Sequence, residues 1–255
     1  MNDLLKKISI IIKIIFNLFS LSNILSLNLL NLFDQIKIIT PPSLSVTIIM
    51  AFFLGLVFSL QIVKEFLYLN AINLIGSVLT IAFLRELSPV LTSIILIGKI
   101  GSYFTSELAT MKITEQIDVL YILRIHPINY LILPRVIALI IVMPLLNFVS
   151  FVTSLISSSF ICSILYNIDP QIFFVSVFSS LSFLDILKSC FKTIIFGFFI
   201  SIISCVWGLN TQGGAKGVGL STTSSVVMSL LSIFVIDFIL SYYMFDNLDS
   251  VLSSF

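Results

Sequence analysis

Hydrophobic and polar positions along this 255-residue chain alternate in long blocks. Apolar runs are separated by short polar segments, and a helix that crosses a membrane needs about 20 mostly apolar residues. The runs therefore predict an all-α polytopic membrane protein with an interfacial helix at the N-terminus, five transmembrane helices and one short cytoplasmic helix. The predicted spans cover about residues 45–63, 74–104, 136–165, 186–209 and 225–244.

Proline residues influence two of these boundaries. Pro41 and Pro42 stand before the first run, where they suit the start of a helix. The apolar run Phe66–Ile100 would be about 50 Å long as a helix, against a hydrocarbon core of about 30 Å. It therefore either begins with an interfacial piece at Leu69–Asn73 or forms two spans. We predict one span, kinked before Pro89.

Three segments lie outside the predicted spans. Residues 1–40 form an N-terminal segment in which residues 4–20 indicate an amphipathic interfacial helix, with a retained signal anchor as the alternative. Gln171–Leu184 is apolar but short, which favours an interfacial or re-entrant piece over a span. The stretch NTQGGAKGVGLSTT is expected to form a tight, flexible turn.

Composition identifies lipid as the main solvent. The chain is 58% hydrophobic and 10% charged, whereas soluble domains carry about 25% charged residues. The formal net charge of +1 gives no argument for a nucleic-acid partner. The three cysteines are scattered in apolar runs without metal-ligand spacing, so we expect no metal site and no cofactor.

The distribution of basic residues predicts the orientation, because short cytoplasmic loops are rich in Lys and Arg. It places the N-terminus and residues 106–124, hereafter the charged segment, on the cytoplasmic side, and the C-terminus on the opposite side. Lys188 and Lys192 disagree with this assignment, since both fall near the outer end of the fourth span.

No motif for catalysis is apparent. The stretch GGAKGVGLS is not a nucleotide-binding P-loop, because Lys216 is followed by Gly217 and not by Ser or Thr. The single histidine, His126, stands beside a proline, and no HExxH motif occurs. We therefore expect neither an enzyme nor a nucleotide site in this chain.

Ionisable residues inside the apolar spans are the first candidates for function, because a charge at the bilayer centre costs at least about 2.5–3.5 kcal/mol. They either pair for structural reasons, for example Arg85 with Asp237, or line a polar substrate path. The candidates are Arg85, Glu86, Lys99, Lys192 and Asp237. Small residues at helical spacing also predict a helix–helix or subunit contact, at Gly98, Gly101, Ser102 and Thr105.

The charged segment predicts one amphipathic helix. Ile113, Ile117 and Leu120 form an apolar stripe that would pack on the spans, and Lys112 can pair with Glu115 three residues later. Helices that lie on lipid favour Lys and Arg on the polar face, whereas this face is acidic, which favours a protein partner. Its polar residues are Glu107, Lys112, Glu115, Gln116 and Asp118.

Two ordered motifs resemble the MlaE-type permeases of lipid-transporting ABC systems. The first is RELSPVLTSIILIGKIGSYFTSELATMKITEQIDVLYILRIHPINYLILPR, and the second is GGAKGVGLSTTSSVVMSLLSIFVIDFIL. Together they span about Thr40 to Phe245, and residues 41–255 are identified as the permease domain. The chain departs from the family pattern mildly, at Ser88, Lys99, Ala109 and His126.

The resemblance implies a five-span permease that works as a homodimer and moves glycerophospholipids between membranes. Its partners would be a separate ABC ATPase, gripped by the charged segment as a coupling helix, and a substrate-binding protein with an MCE domain. Arg85, Glu86, Lys192 and Asp237 would then line a lipid cavity, with Lys192 facing lipid phosphate. The composition suggests an AT-rich genome, which favours a plastid inner envelope over a bacterial inner membrane. A membrane scaffold without transport activity is the alternative.

Overall fold

A computed structural model describes residues 29–245, and all regular secondary structure in that part of the chain is helical. The α-helices are α1 (Leu29–Tyr68), α2 (Ile75–Ala82), α3 (Ser88–Leu96), α4 (Ser102–Ile113), α5 (Gln116–Ile122), α6 (Leu133–Tyr166), α7 (Pro170–Ser180), α8 (Phe183–Leu209) and α9 (Gly214–Phe245). Single π-helical turns at Phe83–Leu87, Ile97–Gly101 and Ile128–Ile132 join α2 to α3, join α3 to α4 and precede α6. A short 3₁₀ turn, Ile72–Leu74, precedes α2. The interfacial helix predicted for residues 4–20 lies outside the described residues.

Five helical segments are long and apolar enough to cross a membrane, which confirms the predicted fold class. They are Leu30–Tyr68, Ile72–Ile113, Ile128–Tyr166, Phe183–Leu209 and Gly214–Met244. The alternative of two spans within Phe66–Ile100 is wrong, because the chain runs as one helical segment from Ile72 onwards.

The first span does not begin after its two prolines. Helix α1 starts at Leu29 and contains Pro41 and Pro42 in its interior. A proline ring holds φ near its helical value. Its free-energy cost inside a helix therefore comes from the hydrogen bond that its missing N–H cannot make and from crowding of the preceding turn. Burial of Ile39 and Ser43 on either side of the prolines shows that packing holds this part of the helix in place.

The second span accommodates Pro89 by a π-helical turn just before it. The π-helical turn Phe83–Leu87 stands immediately before Ser88 and Pro89, where the sequence predicts a kink. A proline cannot donate to the carbonyl four residues earlier, and a π-helical turn is a common way to absorb such a break.

The glycine-rich loop is mostly helix. Gly213 and Gly214 form the predicted turn, with φ of 92° and 68°, which side chains other than glycine rarely adopt. Helix α9 then begins at Gly214, so the fifth span starts earlier than the predicted residue 225. Gly217 is needed for close packing, since a Cβ there would lie 1.9 Å from the Gln212 carbonyl oxygen.

Among the described residues, 29–43, 93–143 and 194–235 make one compact unit, called unit 1. Its core is a cluster of buried side chains from α4, α6, α8 and the turn before α6: Leu108, Ile132, Val136, Ile202, Cys205 and Val206. Helices α4 and α8 approach closely, because Thr105 Oγ1 donates to the Ser204 carbonyl at 3.0 Å.

The described residues 44–92, 144–193 and 236–245 make a second compact unit, called unit 2. Within it the short helix α7 packs on α2, where Gly76 lies against Phe173 and Ser176. Asp169 caps α7, with Oδ1 accepting from the Gln171 N–H at 2.9 Å. The predicted turn before α7 is present, and the segment after it is a separate packed helix that ends at Ser180.

Candidate functional site

Lys192 is the centre of a charged cluster in unit 2. Its side chain is fully buried on α8, and its Nζ donates to the Arg85 carbonyl at 3.0 Å, to Glu86 Oε2 at 2.8 Å and to Ser241 Oγ at 2.9 Å. Asp237 Oδ1 lies 2.6 Å from the same nitrogen. One ammonium group therefore contacts the turn before Pro89 and two residues of α9. Lys192 and its four partners, Arg85, Glu86, Asp237 and Ser241, are called the Lys192 cluster.

The position of Pro89 explains one of these contacts. In an α-helical pattern the Arg85 carbonyl would accept from residue 89, and proline has no N–H to give. The Lys192 ammonium supplies a donor to that carbonyl from a neighbouring helix. The π-helical turn and the buried lysine thus both compensate for the backbone hydrogen bond that Pro89 cannot form.

The suggested pair of Arg85 with Asp237 is wrong. Arg85 Nη2 lies 3.0 Å from Asp185 Oδ2 on α8, and both side chains are largely buried. Lys188 Nζ donates to the Met244 carbonyl at 2.7 Å. The two lysines that disagree with the positive-inside pattern therefore bind protein groups, which compensates for their place in an apolar span.

The members of the Lys192 cluster differ in exposure. Lys192 is 0% exposed, whereas the Glu86 side chain is 42% exposed and that of Asp237 is 18% exposed. Ser241 Oγ also donates to Glu86 Oε1 at 2.8 Å, so Glu86 is held on both oxygens. Glu86 is consequently the acid through which this cluster reaches the surface of the chain.

The charged segment is two helices and not one. Helix α4 ends at Ile113, Glu115 adopts a left-handed conformation with φ of 60°, and α5 runs over Gln116–Ile122. The predicted pair of Lys112 with Glu115 is wrong, because Lys112 Nζ instead lies 3.0 Å from Asp118 Oδ1. This pair ties α5 back to the end of α4.

Exposure along α5 is more apolar than the sequence pattern indicates. Ile117 is buried as expected, Ile113 and Leu120 are half-buried, and Glu115, Gln116 and Asp118 are exposed. Large apolar side chains in and just after α5 are also exposed. The sequence pattern predicted an acidic exposed face and did not indicate these apolar residues. They are Val119, Tyr121, Ile122 and Leu123. The segment therefore presents an exposed surface that is both acidic and apolar.

Glu107 forms an ion pair with α6. Its Oε2 is 2.9 Å from Arg135 Nη2 on α6, and its side chain is 34% exposed. A place for Glu107 on the ATPase-facing surface therefore stays a prediction. Arg135 is 2% exposed and its guanidinium lies 5.4 Å from the centre of the Phe104 ring. Sequence reasoning missed Arg135, although a charged residue at the start of an apolar run was a signal for it.

A polar cavity of about 280 Å³ lies beside this ion pair in unit 1. It is lined by residues of α1, α4, α6 and the turn before α6: Asn31, Asp34, Gln35, Glu107, Met111, Tyr130, Leu131, Pro134 and Arg135. The cavity leaves room for water beside Glu107 and beside the part of Arg135 that lines it.

The small residues of the second span divide between two environments. A Cβ at Gly101 would lie 3.1 Å from Ser204 Oγ, so Gly101 faces α8. A Cβ at Gly98 would meet nothing within 4 Å, and Ser102 Oγ donates to the Gly98 carbonyl at 2.6 Å. Gly101 thus lies at a contact within the chain, while Gly98 is exposed. Lys99, between them, donates to the Pro42 carbonyl at 2.6 Å.

A known protein family matches the part of the chain in which these sites lie. A family model described as "Permease MlaE" matches residues 32–243. The match therefore includes the Lys192 cluster, the charged segment and Arg135.

Curated relatives agree with the family match. A "Probable ABC transporter permease protein ycf63" of Pyropia yezoensis is 47% identical over 246 residues, covering 96% of this chain and 94% of the relative. The protein slr1045 of Synechocystis, named in the same way, is 45% identical over 221 residues, covering 87% and 84%. "Protein TRIGALACTOSYLDIACYLGLYCEROL 1, chloroplastic" of Arabidopsis thaliana is 45% identical over 217 residues, covering 85% and 62%.

Proposed function

Because the chain belongs to the MlaE permease family and is an integral membrane protein, we propose that it moves glycerophospholipids between membranes as the permease subunit of an ABC transporter. A separate ATPase supplies the energy, since the chain shows no P-loop of its own. The observation that carries this proposal is the Lys192 cluster, a set of interconnected charged and polar groups within apolar spans.

The cluster suits an amphiphilic substrate. Charged groups within spans face cavities or one another, and here Glu86 reaches the surface while Lys192 and Arg85 are held by protein partners. A lipid headgroup that approaches Glu86 would meet polar groups beside an apolar helix surface for its chains. Arg85, Glu86, Lys192 and Asp237 are proposed as this substrate site, with Glu86 as its accessible member. Lys192 is 0% exposed, so the expected contact of Lys192 with lipid phosphate would require these helices to rearrange.

Movement of lipid requires that these helices change their arrangement. The buried Lys192 contacts both the turn before Pro89 and α9, so α8 cannot shift against either without exchanging ion-pair partners. Interconnected charge networks of this kind give discrete arrangements rather than continuous deformation. We propose that ATPase closure drives the exchange.

The exposed surface of α5 is proposed as the ATPase contact. It combines the acidic residues Glu115 and Asp118 with exposed apolar side chains such as Ile122. Interfaces between proteins bury apolar anchors within a polar rim, and α5 has both. The relatives' names describe ABC transporter permeases, which supports a partner of this type.

Two further partners complete the proposal. An MCE-domain protein would present or receive the lipid, and a second copy of the chain would form a homodimer. The long helix α9 supports a helix-sized contact because its apolar side chains are widely exposed: Leu220, Val227, Leu231, Phe234, Val235 and Phe238. Relatives from a red alga and a chloroplast support a plastid inner envelope as the location.

Co-purification of the full chain tests this function. The complex is isolated in mild detergent, and its proteins and bound lipids are identified by mass spectrometry. An ATPase with a P-loop, an MCE protein and bound glycerophospholipid are expected. Reconstituted complex should then transfer lipid between vesicles in an ATP-dependent manner.

The alternative, a membrane scaffold, makes a different prediction. A scaffold would retain partner proteins, but lipid transfer between vesicles would not depend on ATP. ATP hydrolysis by this chain alone would contradict the assignment of the energy source to a partner. Recovery of galactolipids in place of phospholipids would keep the transporter and change its substrate, an outcome to which the Arabidopsis relative's name draws attention.

A further inference from the structure

Glu107 and Arg135 connect the charged segment to the third span. Glu107 lies on α4, six residues before that helix ends at Ile113. Its carboxylate reaches Arg135 near the start of α6, at 2.9 Å. Along the chain, α4 and α6 are joined by α5 and the turn that follows it. The ion pair makes a second, direct link between α4 and α6.

Arg135 depends on this carboxylate for its charge balance. The side chain is buried against Phe104, and Glu107 provides the carboxylate within ion-pair distance among the residues that the structure describes. Its Nε and Nη1 have no hydrogen-bond partner in that part of the chain. Separating a buried guanidinium from its anionic partner is strongly unfavourable, so a displacement of Glu107 would favour a matching displacement of Arg135.

The same helix is tied to α5 one and a half turns further on. Lys112 of α4 pairs with Asp118 of α5 at 3.0 Å, and both side chains are partly exposed, so the pair supplements the covalent link through Thr114 and Glu115. An α-helix rises about 1.5 Å per residue, which places Glu107 about 7.5 Å from Lys112 along a continuous helix. A displacement of α5 that moves the end of α4 would therefore act on Glu107 through one continuous helix.

We propose that the Glu107–Arg135 ion pair is a positioning contact that transmits displacement of the charged segment to the third span. It rests on the proposed function, because the displacement comes from the ATPase bound at α5. Glu107 is thereby removed from the ATPase surface and assigned to transmission. The neighbouring Asp34 lines the same cavity, and the pair with Arg135 at 2.9 Å is made by Glu107.

The test uses the full complex with its co-purified ATPase in lipid vesicles. Glu107→Gln keeps the size of the side chain and removes its charge. It is expected to retain the ATPase and ATP hydrolysis while lipid transferred per ATP hydrolysed falls about tenfold, within the usual range of coupling between sites. The double exchange Glu107→Arg with Arg135→Glu is expected to restore at least part of that ratio.

Asp34→Asn is the matched control, since it removes a carboxylate from the same cavity, and an unchanged transport ratio is expected. An unchanged ratio in Glu107→Gln overturns the proposal. Loss of ATPase binding in Glu107→Gln also overturns it, because Glu107 would then contact the ATPase directly. An equal loss in Asp34→Asn overturns it in favour of a general role of the cavity. If the double exchange does not fold, Glu107→Gln decides alone.

The same experiment distinguishes an error in the proposed function from an error in the transmission proposal. If the unaltered chain retains no ATPase, or moves no lipid with it, the proposed function is wrong before any variant is compared. If the unaltered complex transports lipid and Glu107→Gln does so with the same yield per ATP, the transmission proposal alone is wrong.

Discussion

Lys192 Nζ lies 2.8 Å from Glu86 Oε2, and this ion pair joins a fully buried ammonium to a carboxylate that is 42% exposed. The lysine is also bound to Asp237 and to the carbonyl that precedes Pro89 by four residues. An apolar span thus holds a charge that is bound by several described protein groups, so its removal affects the whole cluster.

Lys192→Met is expected to destabilise the protein by up to about 3–5 kcal/mol, because the largely buried Asp237 carboxylate loses its compensating charge. Glu86 adds little to this loss, since its 42% exposed side chain can be solvated. The measurement is the thermal unfolding midpoint of the purified chain in detergent. Lys64→Met is the control, since Lys64 is an exposed residue of α1, and its midpoint should stay unchanged.

Neutralising the partners should rescue the lysine variant. When Glu86→Gln and Asp237→Asn are added to Lys192→Met, no uncompensated charge remains, and the unfolding midpoint is expected to recover in large part. A Lys192→Met variant as stable as the unaltered chain would show that the cluster carries no structural charge balance.

Gly76→Ala is expected to cost about 1–3 kcal/mol, the usual range for overpacking. A Cβ at this position would lie 2.2 Å from Ser176 Oγ and 2.5 Å from the Phe173 carbonyl, which forces α7 away from α2. Gly98→Ala is the matched control because its Cβ would meet nothing within 4 Å. Thermal unfolding of both variants should separate them, and equal midpoints would argue against close packing of α7.

Glu115→Gly is expected to stabilise the break between α4 and α5. A left-handed residue with a Cβ costs roughly 1–2 kcal/mol, and glycine avoids that cost. Amide hydrogen exchange of α5 should become slower. Glu115→Ala removes the charge but keeps the Cβ, so it should not slow exchange. Equal protection in the two variants would assign the effect to charge and not to the backbone.

Ile122→Ser is expected to weaken ATPase binding without a change in the stability of the chain. The Ile122 side chain is 81% exposed, and burying an isoleucine at an interface contributes about 1.5–3 kcal/mol. The dissociation constant of the purified ATPase from the chain in nanodiscs is the measurement. The charge reversal Glu115→Lys with Asp118→Lys tests the acidic part of the same surface.

The two variants distinguish the parts of the α5 surface. Weaker binding in both is expected if the surface has an apolar centre and an acidic rim. Full ATPase binding in both would exclude α5 as the contact. Because Asp118 also pairs with Lys112, Lys112→Met is included to measure the loss of that pair by itself, and it should leave binding largely intact.

The amino-acid sequence by itself determined the number of spans, the helical class and the family. These properties reside in contiguous residues: apolar runs of membrane length, and motifs read in order along the chain. The turn Asn167–Pro170 also followed from the sequence, because Asn tolerates a left-handed φ, here 51°, and Asp caps the helix that Pro begins.

Tertiary structure decided which charges meet. Arg85 pairs with Asp185 one hundred residues later, and Lys192 meets Asp237 on another helix. These partners depend on how each helix is rotated about its axis and how far it is shifted along its neighbour, which no local spacing encodes. The local sequence predicts that Pro41–Pro42 begins a helix, whereas α1 continues through both prolines. Burial of the flanking residues, a tertiary contribution, offsets the free-energy cost of a proline inside a helix.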